Sequence, residues 1–266
     1  MKAKASISVI APDRQGLRRG IYALPNVVTL FGLFAGFYAI VMAFNQRFEL
    51  AVLGIFVAAV LDSLDGRLAR LTQTQSAFGE QMDSMSDMVC FGAAPALIAY
   101  VWMLKDAGRW GWIASFIYVA CAALRLARFN INTAIVDRRF FQGLPSPAAA
   151  ILVMGFIWLV VDKHIHPSSD VWTLWVMFGL VLYAGLTMVT NVPFYSFKEF
   201  RIRKSVPFAV LVLSVLGIGV IGSDPPIALF ILFSSYALSG YVLYLWRKYK
   251  GHSVNVMSAS TSPENE

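Results

Sequence analysis

The strongest constraint on the fold is a series of eight apolar segments. They cover residues 24–44, 50–68, 82–104, 110–129, 148–161, 171–190, 206–221 and 226–246. A helix needs about 20 apolar residues to cross a bilayer, and most of the segments reach that length. Hydrophobic residues make up 58% of the 266-residue chain and charged residues 14%, whereas soluble domains average roughly 45–50% and about 25%. We therefore exclude a soluble or disordered protein and predict an all-α polytopic membrane protein with about eight transmembrane helices.

The distribution of positive charge predicts the orientation. With a cytoplasmic N-terminus, 18 of the 22 Lys and Arg residues fall on the cytoplasmic side, and the exceptions are Arg47, Lys105, Arg109 and Lys163. By the positive-inside rule, this bias predicts that both termini are cytoplasmic and that the protein spans the inner or plasma membrane. The net charge of +7 then suits anionic lipid. No basic run interleaved with aromatic residues is present, so we expect membrane lipid and no nucleic acid as a partner.

Four aspartates interrupt the second and third apolar segments. Asp62 and Asp65 are three residues apart, and Asp83 and Asp87 are four apart, so each pair lies on one face of its helix. Ionisable groups in a membrane span are costly and indicate a functional site. A short turn near residues 73–77 would bring both pairs to the same depth, near the cytoplasmic surface.

Carboxylates facing one another repel unless a cation lies between them. Clusters of oxygen ligands suit hard ions, so the pattern predicts Mg²⁺ or Mn²⁺. Two such ions would balance four negative charges and could clamp the attacking and leaving oxygens of a displacement at phosphorus. The alternative is that the aspartates cap helices or pair with Arg67 and Arg70.

Small residues and one arginine accompany the aspartates. Gly66 and Ala69 leave room either for a ligand or for close helix packing. Arg70, near the aqueous boundary, has the geometry to bind a phosphate.

Taken together, these positions form the string D-x-x-D-G-x-x-A-R-x(8)-G-x(3)-D-x(3)-D between Asp62 and Asp87. The string resembles the signature of the CDP-alcohol phosphatidyltransferase family at every specified position. The resemblance implies a six-helix core with two additional C-terminal helices. It also implies transfer of a phosphatidyl-type group from a CDP-linked lipid to an alcohol, with release of CMP and a requirement for divalent metal. A homodimer is common in that family.

The resemblance also implies roles for individual residues. Asp62, Asp65 and Asp83 would be metal ligands, and Asp87 would be both a ligand and the general base. The residues expected to contact the CDP moiety are Gly66, Ala69, Arg70 and Gly79, with Asn26 and Thr29 as candidates at the pyrophosphate. Pro25 followed by Asn26 is equally an ordinary helix start.

Further segments bear on the acceptor alcohol. Residues 24–29, 91–96, 123–130 and 141–147 look like the bacterial and archaeal branch of the family that uses serine. We therefore predict CDP-diacylglycerol and L-serine as substrates. The candidate serine contacts are Arg125, Arg128, Asn130, Gln142 and Ser146.

Several alternatives stay open. The two arginines could be a positive-inside anchor, or could bind the phosphate of another acceptor such as glycerol phosphate or inositol phosphate. From a different class, intramembrane aspartates also occur in divalent cation transporters. That function predicts acidic residues along a path across the membrane, whereas the four aspartates cluster toward one face.

The domain organisation follows from the same pattern. We predict an interfacial N-terminal segment over 1–20 and a catalytic transmembrane core over 21–195. A cytoplasmic loop with a two-helix extension follows over 196–250. The polar tail, 251–266, is predicted to be disordered.

Overall fold

The computed structural model describes residues 14–72, 74, 76–132, 140–163, 171–195, 217, 219 and 222–250. Its helices are α1 (Arg14–Phe44), α2 (Phe48–Leu71), α3 (Ala77–Asp87), α4 (Ala94–Trp102), α5 (Arg109–Asn132), α6 (Ser146–Asp162), α7 (Val171–Val189) and α8 (Pro225–Tyr249). A π-helical turn over Met88–Ala93 joins α3 and α4, and a short 3₁₀ turn over Leu104–Ala107 precedes α5. Two short antiparallel strands, β1 (Phe140–Gln142) and β2 (Pro193–Tyr195), form a ribbon.

The prediction of an all-α polytopic membrane protein is confirmed, and the β1–β2 ribbon is a small addition to it. Five helical segments are long and apolar enough to cross a membrane: Leu24–Phe44, Ala77–Trp102, Arg109–Ile131, Val171–Val189 and Pro225–Tyr249. The predicted segments at 50–68 and 148–161 coincide with α2 and α6. The predicted segment at 206–221 lies largely outside the described residues, as do 1–13 and 251–266. The count of eight spans therefore stays a prediction.

Small residues hold α1 and α2 together as a tight hairpin. Ala35, Ala39 and Ala58 are buried between the two helices, and an added Cβ at Gly54 would lie 2.9 Å from the Cβ of Ala39. Lipid supplies no hydrophobic force between helices, so helix association in a membrane depends on close packing and polar contacts. Small residues allow the close backbone approach that such packing needs. The hairpin places the N-terminal half of α1 beside the C-terminal half of α2.

The π-helical turn follows directly after the last aspartate of the motif. Pro95 has no N–H group, so the carbonyl of Phe91, four residues earlier, lacks its α-helical donor. The hydroxyl of the fully buried Tyr118 in α5 donates to that carbonyl at 3.1 Å. This contact attaches α5 to the span that carries Asp83 and Asp87.

Helix α6 lies at the centre of the bundle and is buried along most of its length. Helix α8 packs against α6 and against β2. On the side opposite the aspartates, Lys163 Nζ lies 2.8 Å from Asp224 Oδ2 and 3.1 Å from Asp162 Oδ2. The hydrogen bond from Lys163 lowers the pKa of Asp224. The end of α6 is thereby attached to the start of α8.

Candidate active site

The short connection between α2 and α3 brings three of the four aspartates together. Helix α2 ends at Leu71, and the Ser76 hydroxyl caps the start of α3 by accepting from the N–H of Gly79 at 3.0 Å. One carboxylate oxygen each of Asp62, Asp83 and Asp87 then lies within 4.8 Å of the others. All three side chains are half-buried.

The fourth aspartate, Asp65, faces α1. Its Oδ2 accepts a hydrogen bond from Thr29 Oγ1 at 2.7 Å, and the residue is only 4% exposed. Its charge still acts on Asp83 through space. Asp65 therefore borders the three-aspartate cluster, with its orientation set by a hydroxyl on a neighbouring helix.

The cluster has the chemistry of a site for hard cations. The carboxylates of Asp62 and Asp87 lie close together, and Asp83 experiences repulsion from Asp62. Carboxylates this close need a proton or a cation between them. Because the donors are all oxygens, Mg²⁺ or Mn²⁺ would suit them.

The two glycines of the motif, Gly66 and Gly79, differ in how much space surrounds them. An added Cβ at Gly79 would lie 3.1 Å from Asn26 Oδ1, so this glycine permits the close approach of α1 to α3. At Gly66 an added Cβ would meet nothing within 4 Å. Ala69 is half-buried, and the exposed Arg70 donates from Nε to the Gly66 carbonyl at 2.9 Å. This side of α2 therefore has room for a bulky polar ligand.

The two arginines of α5 have different surroundings. Arg125 is 8% exposed and donates from Nη1 to the fully buried Ser146 hydroxyl at 2.7 Å. Its Nε has no hydrogen-bond partner among the described residues. The guanidinium also attracts the Asp87 carboxylate. Arg125 thus combines a buried positive charge with an unused donor beside the aspartate cluster.

Arg128 instead caps the end of a helix. Its guanidinium donates to the backbone carbonyls of Gln142, Met188, Val189 and Thr190 and to the side chain of Asn191, at 3.1–3.3 Å. Carbonyls at a helix C-terminus lack intrahelical donors, and Arg128 supplies them for α7. These contacts are structural, so the acceptor-binding role predicted for Arg128 receives no support from the geometry.

The remaining acceptor candidates are dispersed around Arg125 and Arg128. Asn130 exchanges hydrogen bonds with Ser84 of α3, at 3.1 and 3.3 Å. Gln142 contributes its backbone carbonyl to Arg128, while Ser146 contacts Arg125 directly. The sequence pattern predicts no role for Ser84 or Tyr118. Tyr118 lies seven residues before Arg125, two helical turns along the same face, and this spacing was a usable signal.

Comparison with known proteins agrees with the geometry. A family description, CDP-alcohol phosphatidyltransferase, matches residues 22–191. A CDP-diacylglycerol–serine O-phosphatidyltransferase of Helicobacter pylori (strain ATCC 700392 / 26695) is 35% identical over 226 residues, covering 85% of this chain and 92% of the relative. Its namesake in Methanocaldococcus jannaschii is 34% identical, with 85% and 96% covered. The one in Saccharomyces cerevisiae is 32% identical, with 76% and 68% covered. The chain therefore belongs to the CDP-alcohol phosphatidyltransferase family.

Proposed function

We propose that this protein transfers the phosphatidyl group of CDP-diacylglycerol to the hydroxyl of L-serine, giving phosphatidylserine and CMP. The similar proteins named above carry that activity in their names. The observation that carries the proposal is the position of Asp87. Its carboxylate belongs to the three-aspartate cluster and is also attracted by the buried Arg125.

Asp62, Asp83 and Asp87, with Asp65 beside them, would hold the divalent metal, which we propose to be two ions of Mg²⁺ or Mn²⁺. When bound, the metal would neutralise charge on the phosphates of the CDP-linked lipid. Thr29 would keep Asp65 oriented through the 2.7 Å hydrogen bond between them. The CDP moiety would lie along Gly66, Ala69, Arg70 and Gly79, with Asn26 and Thr29 on the α1 side.

Asp87 and Arg125 have different roles toward the acceptor. The Asp87 carboxylate takes the hydroxyl proton as the serine oxygen attacks the phosphatidyl phosphorus. A new P–O bond to serine forms, the P–O bond of the pyrophosphate breaks, and CMP leaves with the electron pair. Arg125 would bind the serine carboxylate through its guanidinium, since arginine matches a carboxylate well. Ser146 and Asn130 help to shape this pocket.

The membrane arrangement forms part of the proposal. The positive-inside count supports a cytoplasmic position for the aspartate cluster and both termini, on the side where CDP and serine are available. The acyl chains of the lipid would stay in the bilayer. A catalytic core over 21–195 and a homodimer remain predictions.

An acceptor panel tests the reaction. Purified protein in detergent receives CDP-diacylglycerol with Mn²⁺ or Mg²⁺ and one acceptor, and CMP release and the lipid product are measured. We expect product with L-serine and little with glycerol phosphate, inositol or inositol phosphate. Chelation with EDTA should abolish CMP release, and restoring Mn²⁺ should recover it. A preference for another alcohol would contradict serine as the acceptor. Cation flux in proteoliposomes without CMP production would instead support a transporter.

A further inference from the structure

Helix α8 lies beyond residues 22–191, the part matched by the family description, yet one face of it is built into the bundle. Ala237 and Gly240 are buried on this face. The Tyr183 hydroxyl donates to the Ala237 carbonyl at 3.0 Å, and the hydroxyls of Thr187 and Tyr241 are 2.8 Å apart. Polar contacts of this kind specify how helices associate inside a bilayer. The orientation of α8 against α7 is therefore well defined.

The ring of Phe194, a fully buried residue in β2, occupies the surface of α8 at Gly240. An added Cβ at Gly240 would overlap that ring. The ring of Tyr236 packs against Phe194 with centroids 5.7 Å apart, and its hydroxyl donates to the Tyr195 carbonyl at 3.2 Å. Helix α8 thus contacts both a side chain and the backbone of β2.

The β1–β2 ribbon continues these contacts toward Arg125. The Gly143 N–H donates to the Val192 carbonyl at 2.9 Å, and the Gln142 carbonyl accepts from Arg128. Ser146, three residues after Gly143, holds Arg125 at 2.7 Å. A chain of contacts therefore runs from α8 through the ribbon to Arg125.

We infer that α8 contributes to acceptor binding. Its residues Tyr236 and Gly240 are positioning residues that set the location of Arg125. This inference rests on the proposed function, in which Arg125 binds the serine carboxylate. It gives the C-terminal helix a role in acceptor binding, separate from the metal and CDP end of the site.

Kinetics of two α8 variants test the inference. In Gly240→Ala the new methyl group displaces Phe194, and we expect KM for L-serine to rise by roughly 10- to 100-fold, as for an orienting group moved by about 1 Å. In Tyr236→Phe, which loses one hydroxyl, we expect a rise of roughly 2- to 10-fold. For both variants KM for CDP-diacylglycerol, the half-saturating Mn²⁺ concentration and kcat should stay near the wild-type values. Purely structural damage would instead lower kcat and affect both substrates.

Two further variants serve as controls. Gly179→Ala in α7 is a matched control, because an added Cβ there meets nothing within 4 Å, and it should behave as the wild type. Phe194→Leu combined with Gly240→Ala removes the clashing ring and should recover part of the serine affinity. An unchanged KM for serine in both Tyr236→Phe and Gly240→Ala, or a parallel rise for both substrates, would overturn the inference.

The variant Arg125→Lys distinguishes a failure of the inference about α8 from a failure of the proposed acceptor site. If this variant raises KM for serine while the α8 variants do not, the inference fails and the proposed acceptor site stands. If Arg125→Lys leaves serine binding unchanged, the proposed site itself fails. Should the wild type use another alcohol, the same comparison of KM values for that alcohol decides the role of α8.

Discussion

The Asp87 carboxylate is repelled by Asp62 and Asp83 and attracted by the buried Arg125 guanidinium. A general base must contact both the acceptor and the reacting centre, and the buried cation that attracts Asp87 could orient an acceptor. The charges that act on Asp83 are those of the carboxylates of Asp62, Asp65 and Glu80. These surroundings support our proposal that Asp87 is the base.

Replacing that carboxylate by an amide of the same shape tests the assignment. We expect Asp87→Asn to lower kcat by roughly 10²- to 10⁴-fold, the usual contribution of a general base. Saturating Mn²⁺ should not restore the rate, which separates proton transfer from weakened metal binding. Asp106→Asn, at an exposed position on the far side, is the matched control. A near wild-type kcat in Asp87→Asn would rule out this base.

Thr29 tests whether the hydrogen bond to Asp65 supports metal binding. Thr29→Val removes the hydroxyl with little change of shape, and we expect the Mn²⁺ concentration for half-maximal rate to rise by roughly 10- to 100-fold, as for other partners of metal ligands. Thr29→Ser keeps the hydroxyl and should restore metal affinity. If Thr29→Val raises only KM for CDP-diacylglycerol, Thr29 contacts the substrate, as the sequence resemblance implied.

At the scale of elements, the π-helical turn between α3 and α4 is the least regular part of the site. It follows Asp87 directly, and Tyr118 donates to the carbonyl that Pro95 leaves without its α-helical donor. Unpaired carbonyls are costly in an apolar interior. The turn therefore depends on α5, the same helix that carries Arg125.

Removing the Tyr118 hydroxyl should expose this dependence. We expect Tyr118→Phe to reduce the free energy of unfolding by about 1–2 kcal/mol, the value of a polar contact between membrane helices. Thermal unfolding in detergent measures the loss. Tyr38→Phe is the control, because Tyr38 is 38% exposed on the outer face of α1. Equal stability of the two variants would show that the turn does not require Tyr118.

At the scale of the whole molecule, we predict that Arg67 and Lys105 lie on opposite sides of the membrane. Both side chains are exposed, and the native Cys90 and Cys121 are buried, so background thiol labelling should be low. In intact cells, we expect an impermeant maleimide to label Lys105→Cys but not Arg67→Cys. Permeabilised cells should allow labelling of both. The reverse pattern would invert the predicted orientation.

Much of this molecule follows from local sequence properties. Hydropathy over windows of about 20 residues identified segments that coincide with α1, α2, α5, α6, α7 and α8 and with the α3–α4 span. Spacings of three and four residues placed Asp62 with Asp65 and Asp83 with Asp87, because helical geometry determines which residues share a face. The short connection between the two helices then implied that the pairs would meet, and three of the four aspartates do.

Other features were decided by tertiary structure alone. Arg125 and Arg128 look equivalent in the sequence, yet the first keeps an unused donor while the second caps α7. Asp65 faces Thr29, 36 residues away, and Tyr236 contacts Tyr195 of β2 from a helix beyond the family match. Spacing along one helix indicates which residues share a face. It does not indicate which helix will pack against that face, and partners far apart in the chain are chosen only when the helices assemble.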